Sequence, residues 1–146
     1  MSIRFAMVLI ACCALWACTA GQKRSKTGTP GCPAAQEVEQ VHMLGWWRAE
    51  FEQPTEVATV LLEKNAHYAD SFSGAVYRGS GERSGAAGDV EDGDFTLEES
   101  ADGVRITATW TGEVVEGSCG REIRGSWQSA KDRTERPFVL RRTPGS

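Results

Sequence analysis

Few side chains in this sequence are of the kinds that do chemistry, and none falls into a catalytic pattern. Of the two histidines, His67 stands close to Asp70 and Ser71, but the members of a nucleophilic triad come from separate elements, so the adjacency carries no catalytic meaning. His42 has no metal-ligand spacing around it. The chain has no Gly-x-Ser-x-Gly elbow, no phosphate-binding glycine loop and no His-Glu-x-x-His pair. The acidic run Asp89-Val-Glu-Asp-Gly-Asp94 gathers carboxylates that suit a calcium ion. Its glycine is fifth instead of sixth, however, and no glutamate stands twelfth, so it is expected to be a solvated acidic loop. No catalytic activity, metal or cofactor is expected. What remains is aromatic and cationic: Trp47, Trp110, Trp127 and Arg142, which suit an indole cluster covered by a guanidinium, as core or as the wall of a ligand site.

Strands must position these residues. From Gly45 the apolar period is two, with Trp47, Ala49 and Phe51 alternating with Trp46, Arg48 and Glu50 until Pro54-Thr55 ends the run. Val57 to Lys64 and Phe72 to Tyr77 predict further strands, whereas Arg78 to Asp94, rich in Gly, Ser and acids, predicts a long loop. Phe95-Thr-Leu-Glu-Glu then leads through Asp102-Gly103 into Val104 to Thr111. The Asp-Gly pair there supplies the positive φ of a tight hairpin turn, and Val104, Ile106, Ala108 and Trp110 share one face. Gly120 to Gln128, a charged turn from Lys131 to Arg136, and Pro137 to Arg142 complete the series. Seven or eight strand-plus-turn units between Gly45 and Arg142 predict an all-β fold, a small antiparallel up-and-down β-barrel, since closure removes exposed strand edges. Ahead of it, Pro33 to Leu44, with Val38, Val41 and Leu44 spaced by three, predicts a short helix.

At the amino terminus Arg4 precedes an apolar stretch of about 12 residues, the length of a signal h-region and too short to span a bilayer. It ends in Leu15-Trp16-Ala17-Cys18, which resembles the lipobox of bacterial lipoproteins. Leu9-Ile10-Ala11-Cys12 also matches, but it leaves a shorter h-region, and an ordinary signal peptide cut near Ala17 or Ala20 is the alternative. The resemblance implies that residues 1–17 are removed and that Cys18 carries lipid. Several acyl chains anchor stably where one does not. With Thr19 in place of aspartate after Cys18, the resemblance implies residence at the outer membrane of a bacterial envelope. Cys12 and Cys13 then leave with the signal and Cys18 is taken by lipid, so Cys32 and Cys119 remain to pair in an oxidising periplasm. Such a bridge stabilises by roughly 3 to 5 kcal/mol in the chain-entropy model, less any strain. Residues 18–32, small, polar and basic, form a tether, and 33–146 the barrel domain.

Within the barrel, Gly-x-Trp occurs as Gly45-Trp46-Trp47 and Gly125-Ser126-Trp127. The first copy resembles the opening strand of lipocalins and avidins, and Phe72-Ser73-Gly74 with Val76-Tyr77 is loosely similar to an early avidin strand. In lipocalins a basic residue of the last strand covers that tryptophan, and Arg142, in phase with Phe138 and Leu140, is the matching position. Ser73-Gly74-Ala75-Val76-Tyr77 also fits the Ser-Gly-x-x-Tyr pattern of membrane-bound lysozyme inhibitors, which implies Ser73 and Tyr77 as contacts to a partner protein. The cysteines do not follow that family's pattern.

Loss of residues 1–17 leaves 15 Lys and Arg against 20 Asp and Glu, a net charge of −5, and argues against nucleic acid as a partner. The expected function is non-catalytic: a lipid-anchored envelope protein whose barrel takes a small apolar or amphipathic ligand in its mouth. The alternative is a protein-binding or envelope-structural module, including a lysozyme-inhibitor-like role. The two part on the barrel interior. Inward candidates mix Trp47, Phe51, Ile106, Trp110, Trp127 and Leu140 with Ala49, Ala108 and Gly125, and both outcomes stay open.

Overall fold

The alternation along Gly45–Phe51 puts Trp47, Ala49 and Phe51 at no more than 3% exposure while Trp46 on the other face keeps 39%. The structure, a computed structural model, describes residues 31–52 and 56–145. Residues 1–30, on which the expected signal segment, lipidated Cys18 and tether fall, lie outside the described residues, as do residues 53–55 and Ser146. A 3-10 turn (Ala35–Glu37) and a single-turn helix α1 (Gln40–Met43) precede the strands β1 (Gly45–Phe51), β2 (Glu56–Lys64), β3 (Ser71–Arg78) and β4 (Arg83–Glu91). These are followed by β5 (Asp94–Ser100), β6 (Ile106–Val114), β7 (Glu122–Ser129) and β8 (Glu135–Arg142). Each strand pairs antiparallel with the next, and β8 returns to β1 through Ala49↔Leu140 and Phe51↔Phe138, closing an up-and-down barrel of eight strands.

The interior is filled. Trp47, Phe72, Phe95, Leu97, Trp110, Ile123 and Leu140 are fully buried, and Phe51, Phe138, Val60 and Leu62 complete one core. Phe72 stacks on Phe95 at 5.8 Å between centroids, and Trp110 meets Phe138 edge-on at 4.8 Å. Gly125 lets β7 press against β6: a Cβ there would collide with the Thr111 carbonyl and with Gly112, its partner across the ladder.

Several local expectations are corrected. The span from Arg78 to Asp94 is not a long loop but the end of β3, a short turn and all of β4. Its Gly85, Ala86, Ala87 and Gly88 have little strand preference of their own, and two-sided pairing with β3 and β5 overrides that. The acidic run is the end of β4, the turn Asp92-Gly93 (φ 51° and 90°) and the start of β5. Asp102-Gly103, by contrast, lies in a wider connection in which Asp102 Oδ1 accepts the Val104 and Arg105 N–H groups at 3.0 and 2.8 Å. The register shifts between Glu99 and Ser100, so Val104 and Ile106 do not join Ala108 and Trp110 inside; they are 83% and 43% exposed. Nor is Pro33 to Leu44 one helix. Extended Val38 and Glu39 separate its two short turns.

Those turns strap one end of the barrel. Gln40 donates to the Ser71 carbonyl, the Ala35 N–H to Glu116, and the Trp47 indole to the Met43 carbonyl at 2.7 Å. Cys32 is disulfide-bonded to Cys119 in the β6–β7 loop, which fixes the start of the strap to this closed end. Non-reducing peptide mapping is expected to recover this linkage, and Cys119→Ala to lower the melting temperature, because the strap then loses its covalent hold on the loop. An unchanged melting temperature would assign the strap's hold to its packing alone.

Candidate functional site

At the opposite end the barrel has a charged floor. Period-two alternation carries Phe95 and Leu97 inward and, one step further, Glu99, whose side chain is 2% exposed. The same alternation turns Arg78 inward after Val76, Arg136 before Phe138 and Trp127 after Ile123. Glu99 is where they converge. Its Oε1 accepts the Trp110 and Trp127 indole N–H groups at 2.7 and 3.0 Å and Arg78 Nη2 at 2.7 Å, while Oε2 accepts Arg78 Nη1 at 2.8 Å. The pair is therefore bidentate and fully hydrogen-bonded, which is the condition for holding a buried carboxylate ionised. Burial pushes the Glu99 carboxyl up, but the paired guanidinium N–H groups, the Arg78 charge and the two indoles together bring it below the usual glutamate value. The Arg78 guanidinium is raised, chiefly by its hydrogen bonds to Glu99, against an opposing effect of burial.

The network extends to the rim. Glu56 on β2 bridges Arg78 at 3.5 Å and Arg136 at 2.8 Å. Arg136 lies over the Phe51 ring, 4.4 Å from its centroid, and both arginines stand within 6 Å of the Trp127 ring, so each guanidinium is held by carboxylate and π face together. Between the β3–β4 and β5–β6 connections a cleft of about 440 Å³ opens on this floor, lined by Arg78, Arg83, Glu99, Thr107, Ala108 and Trp127. Such a cleft offers a half-buried indole edge, two guanidinium groups, the Glu82 and Glu99 carboxylates and the Ser84 and Thr107 hydroxyls. Beside it the β5–β6 connection and the first residue of β6 present Val104, Arg105 and Ile106, next to a backbone pinned by Asp102, whose carboxyl the Arg105 and Val104 N–H groups hold far below the usual aspartate range.

The indole cluster expected from the sequence is divided between the two ends. Trp110 and Trp127 face each other across the β6–β7 ladder and share Glu99. Trp47 pairs with Arg142, whereas Trp127 pairs with Arg136, and those β8 positions are roughly 20 Å apart at the usual rise per residue. Arg142 does stand beside the first-strand tryptophan, with its Nη1 and Nη2 donating to the His42 and Leu44 carbonyls at 2.8 and 2.7 Å, at the end of α1. Ser73 and Tyr77 lie on the outer wall of β3, on either side of Ala75, away from both ends' interiors. Tyr77 packs 6.0 Å from the Trp46 ring and under Arg83. Glu99, Arg78 and Arg136 were missed from the sequence, although each continues an inward phase that its own strand displays.

No protein-family model matches the chain, and no curated protein matches it.

Proposed function

We propose that the protein is a non-catalytic, lipid-anchored module of a bacterial envelope that binds a protein partner through the rim of its open end. The observation that carries this reading is the filled interior: with Trp47, Phe51, Phe72, Trp110 and Leu140 packed together, the barrel has side chains where an internal ligand would sit. The rim, in contrast, exposes Val104 on a connection held in shape by Asp102 and Ile106 at the start of β6, and loops held in shape with exposed apolar groups are the usual material of recognition. A second reading, a small amphipathic ligand in the mouth, is favoured by the cleft beside Trp127.

Two measurements test these readings. Cys18→Ser is expected to leave the precursor unlipidated and to move the protein from the membrane to the soluble fraction; retention on membranes with an acyl mass would overturn the lipobox assignment. Native mass spectrometry of protein extracted from its own membrane is expected to give the acylated, bridged chain without a bound small molecule. A stoichiometric retained ligand would favour the mouth-binding reading over the rim.

A further inference from the structure

Apolar exposure is concentrated at the two ends, and the end that receives the chain from Cys18 has a surface of its own. The first described residues, Gly31 and Cys32, are fixed there by the bridge to Cys119, and the strap crosses the end from the β6–β7 loop to β2 and β3. Even fully extended, the links from Cys18 to Cys32 reach less than about 50 Å, so an anchored Cys18 keeps this end within that distance of the bilayer. In the β2–β3 loop, Asn65 Oδ1 accepts the His67 and Tyr68 N–H groups at 2.9 and 3.2 Å, an arrangement that fixes the loop and leaves Tyr68 71% exposed. Val41, on the outward side of α1, is 58% exposed, and together with Ala69 it borders the cleft between α1 and that loop. An exposed phenol on the β2–β3 loop and an exposed aliphatic group on α1, both at this end of the barrel, suit the boundary between headgroups and acyl chains, where tyrosine is enriched. The carboxylates of Glu39, Asp70, Glu91 and Asp92, which line the same cleft, favour a zwitterionic over an anionic surface.

We infer that the barrel stands with its closed end on the membrane, Tyr68 and Val41 seated in the interface of a zwitterionic bilayer, and its Glu99 end directed away. The orientation rests on the lipid anchor proposed above. It goes beyond tethering, because it assigns a second, non-covalent contact to the lipid surface and leaves the opposite rim free.

Hydroxyl-radical footprinting of the lipidated protein in phosphatidylethanolamine-rich vesicles, compared with the Cys18→Ser protein free in solution, tests it. Labelling of Tyr68 and Val41 is expected to fall several-fold in vesicles while labelling of Val104 and Ile106 stays the same. Acylated protein whose Tyr68 is labelled equally in both states overturns the orientation and leaves the anchor standing. Protein without an acyl mass overturns both. In a Tyr68→Ser variant, which changes an exposed loop side chain and leaves the core intact, protection of Val41 is expected to weaken while the protein stays on the vesicles. Full protection of Val41 in that variant would remove Tyr68 from the contact.

Discussion

Replacing Trp47 with alanine is expected to lower the free energy of unfolding by about 3 to 5 kcal/mol, the cost of opening a cavity under a fully buried indole. The same change at Trp46 is expected to cost about 1 kcal/mol or less, because that ring is 39% exposed and touches Tyr77 on the outer wall. Neighbours in sequence thus differ several-fold through strand phase alone. Trp47 also donates to the Met43 carbonyl, so its loss is expected to loosen the strap, which amide hydrogen exchange at residues 40–43 would report. Near-equal losses at Trp46 and Trp47 in denaturant titrations would mean that the strand's inward face is misassigned.

Glu99→Ala is expected to cost about 3 to 5 kcal/mol as well, by a different route. It leaves Arg78 without its bidentate acceptor and strands the buried Trp110 indole N–H, at a cost of about 1 to 3 kcal/mol, while the half-buried Trp127 N–H loses its acceptor beside the open cleft. Replacing both charges by apolar groups, Glu99→Leu with Arg78→Met, is expected to recover part of that loss, since no lone charge is then left in the floor. A double variant no more stable than Glu99→Ala would show that the indole donors, not the ion pair, dominate. The pH dependence has a definite sign. The folded pKa of Glu99 lies below its ordinary value of 4.5, so its contribution is full above that value and is lost as pH falls through the lower folded value. In Glu99→Gln this part of the acid destabilisation should vanish, a difference visible in melting temperatures measured below pH 4.5.

Strand phase was legible wherever large apolar residues mark it. Trp47, Ala49 and Phe51 announce β1 and Ala108 with Trp110 the body of β6, and closure follows from so many short strands needing partners. β4 was illegible because its inward side chains are Ala86, Gly88 and Val90; Gly88 lies where a Cβ would collide with the Thr96 carbonyl and crowd Phe72, a tertiary fact with no local periodic signature. The two Asp-Gly pairs look alike in sequence, and only Asp92-Gly93 has the strand pairing on both sides that makes a two-residue turn. The bulge at Glu99 and Ser100 shifts the other hairpin, which is why the phase assigned to Val104 failed. The charged floor was overlooked for a different reason. Arg78, Glu99 and Arg136 occupy inward positions, but a charge is ordinarily assigned to the outside, and the charged partner lies 21 or more positions away.

The seam between β1 and β8 also governs how fast the molecule can form. Each of the other seven pairings joins strands that are consecutive in the chain, whereas Glu50 and Arg141, which meet across the seam, are 91 positions apart. Hairpins nucleate in microseconds, while contacts between distant segments must first overcome loop-closure entropy, so the seam is expected to be the slow, final step of folding. The Cys32–Cys119 bridge shortens the shortest covalent path across it to about 40 residues. This lowers the closure entropy by roughly 0.7 kcal/mol, near threefold in rate, so the oxidised chain reaches the closed barrel sooner than the reduced one and exposes the unpaired edges of β1 and β8 for less time.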